Sequence, residues 1–140
     1  QIRITFIGRI SMFPEKIQQC MRDLMEKTKH LTKHIVNFAM AYGGRDEVVD
    51  ATKKIAAQVQ DGKLAVEEIN ASVFAENLYM YDDVDLLIRT SESRLSGFLP
   101  WQTTYSEIIF LPDKLWPEFE KKDFAACIEE YQRRQRRFGT

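Results

Sequence analysis

The chain has 140 residues, 44% of them hydrophobic and 29% charged, with a formal net charge of −1. That is about one domain's worth of ordinary globular sequence, and it carries no global field toward nucleic acid or membrane. Any anion site must be local, and no apolar run approaches the roughly 20 residues that span a bilayer.

Gln1 to Ile7 alternates as a strand does and not as a signal peptide; Ile2 to Ile7 reads as the strand, and Gly8 opens a turn. The lack of Met at position 1 suggests a chain that starts inside a longer protein. Pro14 suits the first turn of a helix, and Ile17, Cys20, Met21, Leu24 and Met25 recur on one helical face. His34 to Tyr42 is β-rich and mostly apolar, the pattern of a strand buried on both faces, and Gly43-Gly44 breaks it. A second helix follows with Val48, Thr52, Ile55 and Val59 on one side, and Asp61-Gly62-Lys63 ends it. Residues 66–80 read as one or two short helices, Asp85 to Ile88 as a third, buried strand, and Ser106 to Leu111 as a fourth. The last helix is expected from Glu118 to Phe138, with Phe124, Cys127, Ile128 and Tyr131 on its apolar face and Gly139 at the position after its end.

Strand and helix alternate throughout. The expected fold is α/β, a Rossmann-like, mainly parallel sheet flanked by helices with right-handed crossovers. No repeat, low-complexity linker or domain boundary is visible. Cys20 and Cys127 lie in helical apolar patterns, make no zinc spacing with histidine, and read as buried free thiols of a cytoplasmic chain rather than a disulfide.

In open parallel sheets, ligands bind beyond the carboxyl ends of the strands. Two segments are expected there. Tyr42-Gly43-Gly44-Arg45 ends a strand and opens a helix, so it reads either as an anion-facing helix start or as a tight turn needing glycine's φ. The stretch from Arg89 to Glu107 places Arg89 at a strand end, with Arg94 and Ser96 soon after. Arginine forks and hydroxyls are the donors a diphosphate needs. The rival reading is a solvated loop in which Glu92 pairs with a neighbouring arginine. Glu107 suits one ligand of Mg²⁺, or a strand-end surface carboxylate. Phe98, Trp101 and Tyr105 could wall an apolar substrate or form core. The run Arg133-Arg134-Gln135-Arg136-Arg137 fits a helix carboxyl end, with a nucleic-acid patch as the weaker alternative. His30 and His34 have no acid/base partner in sequence.

In order along the chain, Arg89-Thr90-Ser91, Arg94-Leu95-Ser96-Gly97-Phe98-Leu99-Pro100-Trp101-Gln102 and Tyr105-Ser106-Glu107 resemble the signature of the cis-prenyltransferases, the undecaprenyl diphosphate synthase-like enzymes. The resemblance continues through Leu115-Trp116-Pro117-Glu118-Phe119, Asp123-Phe124 and Arg137-Phe138-Gly139, and upstream at Tyr42-Gly43-Gly44-Arg45. It covers almost the whole chain in register. It implies a Mg²⁺-dependent transferase that adds isopentenyl diphosphate to an allylic diphosphate such as farnesyl diphosphate with cis geometry. Arg89, Arg94, Leu95 and Ser96 would bind isopentenyl diphosphate, and Glu107 would hold Mg²⁺. Arg137 and Gly139 would reach the active site of the partner subunit in a homodimer formed through the carboxyl-terminal half. Membrane contact would be peripheral at most, through the lipid product, and no nucleic acid is expected.

Three departures stand out. No segment matches the family's Asp-Gly-Asn-Gly-Arg loop, so the chain resembles the carboxyl-terminal portion of one prenyltransferase domain. Ser91 is followed directly by Glu92, where the family has an additional glycine. Ala41 stands where many members have asparagine. Two other readings are a non-catalytic partner subunit of a heteromeric enzyme and a generic phosphate- or nucleic-acid-binding module.

Overall fold

A computed structural model describes residues 1–134. The chain divides after Tyr81 into two units.

In the first unit, strand β1 (Ile2–Ile7) leads through a 3₁₀ turn to helix α1 (Glu15–Thr28), then strand β2 (His34–Ala39), helix α2 (Gly44–Gln60) and helix α3 (Ala71–Asn77). β1 and β2 run parallel, with Ile2 beside His34 and Ile7 beside Ala39. The alternation of the first residues gives β1 the expected bounds, and Phe6 stacks on its neighbour Phe38 with ring centroids 5.6 Å apart. α1 is the crossover between the strands and packs on β1. Pro14 caps its amino end, and the Thr28 hydroxyl in its last turn accepts the Ile4 N–H at 3.1 Å. Gly8 has φ of +105°, and a Cβ there would lie 2.3 Å from the Met40 carbonyl oxygen, so only glycine fits this turn.

Three expectations change in this unit. β2 is largely exposed rather than buried on both faces: Ile35, Val36 and Phe38 all lie open. Among the described residues β2 pairs as a strand with β1 alone, and an apolar composition does not say which faces receive a cover. On α1 only Met21 of the predicted face is buried, while Ile17, Cys20 and Leu24 are exposed. On α2 the buried stripe is Gly44, Glu47, Ala51 and Ile55, so Thr52 faces solvent. A glutamate sits in the stripe because it has partners there, described below.

In the second unit, strand β3 (Leu86–Thr90) and strand β4 (Glu107–Leu111) pair in parallel, and helix α4 (Lys121–Arg133) follows a 3₁₀ turn at Trp116–Glu118. The Glu120 N–H donates to the Asp123 carboxylate at 2.8 Å, which closes the first turn of α4. Ile109 and Cys127 are buried, and burial raises the Cys127 thiol's pKa. α4 ends at Arg133, short of the expected Phe138, because Arg134 takes an extended conformation with ψ of 148°. Gly139 and Arg137 lie outside the described residues. Both cysteines are free thiols, as expected, but Cys20 is exposed. Among the described residues no helix is long and apolar enough to cross a membrane.

Candidate functional site

β3 delivers Arg89 one residue before its carboxyl end, beside Phe110 of β4. The chain then turns at Ser91, whose φ of +67° is rare for a residue with a side chain. The Ser91 N–H is shared between the carbonyls of Leu111 and Lys114, each at 3.0 Å, so the turn is anchored to the segment that leaves β4. Glu92 follows at once. Its Oε2 accepts from Arg89 Nη2, and its Oε1 accepts from Arg94 Nη2 at 2.8 Å. Two guanidinium groups therefore converge on one carboxylate. Arg94 is mostly open at 71% side-chain exposure, whereas Arg89 is 23% exposed. Arg89 Nε is buried without an acceptor among the described residues.

Arg89 also lines a cavity of about 360 Å³ together with Leu87, Ile88, Thr90, Ser96 and Phe98. The Ser96 Oγ accepts the Phe98 N–H at 3.2 Å, which leaves the hydroxyl proton available to a ligand. Arg89, Arg94 and Ser96 are thus brought into one neighbourhood, and exposed Leu95 lies between them in sequence. Phe98, Trp101 and Tyr105 are exposed in part rather than core, while Gln102 nearby is buried. The arrangement offers cationic and hydroxyl donors to a multiply charged oxyanion.

Glu107 is placed elsewhere. It opens β4 beside Leu86, whereas Arg89 pairs with Phe110, three residues farther on. That offset is about 10 Å along the strand, and an odd offset puts the two side chains on opposite faces. Arg134 Nη1 donates to Glu107 Oε2 at 3.1 Å and to the Ile108 carbonyl at 3.0 Å, while its Nε holds Glu130. Glu130 first, then Glu107, raises the Arg134 pKa. Among the described residues no three His, Cys, Asp or Glu side chains gather as a metal site. Glu107 is a hard oxygen ligand already holding a cation, which fits one protein ligand of Mg²⁺.

The Tyr42-Gly43-Gly44-Arg45 turn does open a helix, with Gly43 at its cap. Gly43 has an ordinary extended φ of −140°; the left-handed residue is Ala41, at +46°. A Cβ at Gly43 would lie 2.8 Å from the carboxylate of Asp46, the tip of a 53% exposed side chain that can swing aside. Two acids, Asp46 and Glu47, already occupy the first turn and complement its dipole.

Around this turn stands a network that sequence reasoning missed. Arg9 clamps Asp50 with Nε and Nη2, each at 3.0 Å, and reaches Asp46 at 3.1 Å. The Tyr79 hydroxyl donates to Asp50 as well. Arg9 first, then Tyr79, holds the Asp50 carboxyl down at about 2. Burial, then the bond to Asp50, pushes Tyr79 up to about 12. Glu47, 1% exposed, accepts from the Tyr42 hydroxyl and from the Tyr79 N–H, the latter at 2.9 Å. The one local signal was Asp46 and Asp50 at helical spacing on α2, with Arg9 in the turn after β1.

Parallel strand pairs flanked by helices define an α/β protein, and it carries an arginine-bearing loop at the carboxyl end of one strand. The family described as "Putative undecaprenyl diphosphate synthase" matches residues 1–139, and the chain belongs to that cis-prenyltransferase family. It is 44% identical over 144 residues to a tritrans,polycis-undecaprenyl-diphosphate synthase (geranylgeranyl-diphosphate specific) of Methanocaldococcus jannaschii, covering 99% of this chain and 51% of that protein. It is 46% identical over 145 residues to an isoprenyl transferase of Streptococcus pyogenes, covering 99% and 58%. A crystal structure of lavandulyl diphosphate synthase from Lavandula x intermedia, in complex with dimethylallyl diphosphate, superposes with a TM-score of 0.93 at 35% identity, covering 99% of this chain and 61% of that one. A probable undecaprenyl diphosphate synthase from Campylobacter jejuni gives 0.85 at 38%, covering 99% and 64%. The chain spans about half the length of the curated relatives it matches.

Proposed function

We propose that this chain is the carboxyl-terminal portion of a single cis-prenyltransferase domain. Its full-length parent condenses isopentenyl diphosphate onto an allylic diphosphate, such as farnesyl diphosphate, to make a polyprenyl diphosphate. The observation that carries this reading is the convergence of Arg89 and Arg94 on one anion, beside a cavity that also takes Ser96. Diphosphate chemistry is largely positioning and charge neutralisation, and arginine is suited to both.

In this reading Arg89 and Arg94 orient the diphosphate of isopentenyl diphosphate, Ser96 donates its hydroxyl, and Leu95 shapes the loop. Glu107 would hold Mg²⁺, which would supply neutralisation of phosphate charge. Arg137 and Gly139 keep the role the resemblance gives them, at a partner subunit's site in a homodimer. The allylic class of the second substrate is supported by the names of the relatives and by the dimethylallyl diphosphate bound in the lavender enzyme.

Titration of the purified chain with isopentenyl diphosphate tests the site. Arg89→Ala is expected to weaken binding at least about tenfold, as for loss of a charge-assisted clamp; unchanged binding overturns the assignment. The 140-residue chain alone is expected to turn over little or no substrate, and measurable incorporation of labelled isopentenyl diphosphate would refute that.

A second reading, a non-catalytic partner subunit, is favoured by one observation. Glu107 is engaged by Arg134 and stands apart from Arg89 along the strand pair. It predicts that Glu107→Ala in the full-length parent leaves kcat/KM unchanged, whereas the enzyme reading expects most activity to be lost.

A further inference from the structure

We infer that Glu92 is a displaceable internal anion: it occupies the Arg89–Arg94 pair in the free protein, and an incoming diphosphate must evict it. The inference rests on the reading of this loop as the diphosphate site.

The geometry is that of a substrate mimic. Each oxygen of one carboxylate takes one guanidinium, which is the way two arginines share an oxyanion. The hold is also incomplete. Glu92 satisfies Arg89 at Nη2, while the buried Nε of the same guanidinium has no acceptor among the described residues; Arg89 as a residue lines the cavity together with Ser96. A diphosphate carries more acceptor oxygens than a carboxylate and can meet Arg89, Arg94 and the Ser96 hydroxyl together. One anion that meets more donors than Glu92 does favours the exchange.

Exposure makes the exchange feasible. Glu92 is 37% exposed and Arg94 71%, so their bond is of the weak, solvent-screened kind. Glu92 cannot leave the site, however. Its neighbour Ser91 is pinned by two backbone hydrogen bonds, so an evicted carboxylate stays near the bound diphosphate. Glu92 thereby sets affinity twice, by competing for the arginines and by repelling the anion that replaces it.

The test uses inorganic diphosphate as the probe, titrated calorimetrically into the 140-residue chain and its variants. Glu92→Gln is expected to lower Kd by about three- to fivefold, the scale of an exposed ion pair. Asp113→Asn removes the same charge close to Lys114 without touching an arginine, and is expected to change Kd less than about twofold. Arg89→Ala is expected to abolish binding. If wild-type binds, Arg89→Ala does not, and Glu92→Gln binds no more tightly than wild-type or Asp113→Asn, the inference fails and the site reading stands. If Arg89→Ala binds as wild-type does, or no protein binds, both fail. In wild-type protein carrying ¹³C-labelled glutamate, the Glu92 carboxylate resonance is expected to move on saturation with diphosphate, and an unmoved resonance overturns eviction even if Glu92→Gln does not fold.

Discussion

Arg9, from the turn after β1, grips Asp50 of α2 with two parallel hydrogen bonds, and Tyr79 adds a third donor to the same carboxylate. The pair ties a strand's end to a helix and fixes the Asp50 pKa at about 2, against an ordinary 3.8. A lowered carboxylate pKa contributes stability that is present above the unfolded value and is lost as pH falls through the folded one. Stability from this pair should therefore persist at pH 4 and decline toward pH 2. Asp50→Asn should lower the urea midpoint at pH 7, and the gap to wild-type should close between pH 4 and 2. A gap independent of pH would contradict the assignment.

Glu47 is a second, separate anchor. It is buried and accepts both the Tyr79 N–H and the Tyr42 hydroxyl. Removing a buried acceptor that serves two donors costs about 3 kcal/mol, while an amide that still accepts costs about 1 kcal/mol. Glu47→Ala should therefore destabilise far more than Glu47→Gln in urea unfolding followed by circular dichroism. Equal effects would mean that charge, rather than acceptance, is what matters.

Ala41 and Ser91 both hold left-handed backbone, with φ of +46° and +67°. That conformation costs a residue with a Cβ about 1–2 kcal/mol. Asparagine adopts it more readily, and glycine adopts it freely at some entropic cost in the unfolded chain. Ala41→Asn and Ser91→Gly are each expected to stabilise by about 0.5–1 kcal/mol, read as a rise in Tm. Leu99, at +48°, is different because its side chain is buried. Leu99→Gly sacrifices about 2 kcal/mol of apolar burial, and should destabilise despite relieving the backbone.

The two thiols should separate kinetically. Cys20 is exposed, whereas Cys127 is 3% exposed with its pKa raised. In native protein a thiol-reactive dye is expected to label Cys20 promptly and Cys127 only on unfolding. Comparable rates at pH 8 would place Cys127 outside the core of its unit.

Local features were read well from the amino-acid sequence. The alternation at Ile2–Ile7 gave the bounds of β1, and the apolar run ending at Arg89 located the arginine at a strand's carboxyl end. Non-local features were not legible. Glu47 looks like a solvated helix residue until Tyr79, distant in sequence, is seen to donate to it. The distance of Glu107 from Arg89 is a matter of strand register, which neither strand reveals alone. The solvated-loop reading pairs Glu92 with one neighbouring arginine, and the structure shows it on both arginines at once.

The doubly shared amide of Ser91 reaches beyond its own turn. The Lys114 carbonyl that receives it belongs to a residue whose ammonium holds Asp123, in the first turn of α4, at 3.2 Å. The arginine loop and the helix thus hang from one peg. For anyone tuning anion affinity by directed evolution, the segment around Lys114 is a remote dial, able to shift the loop while every arginine stays in place.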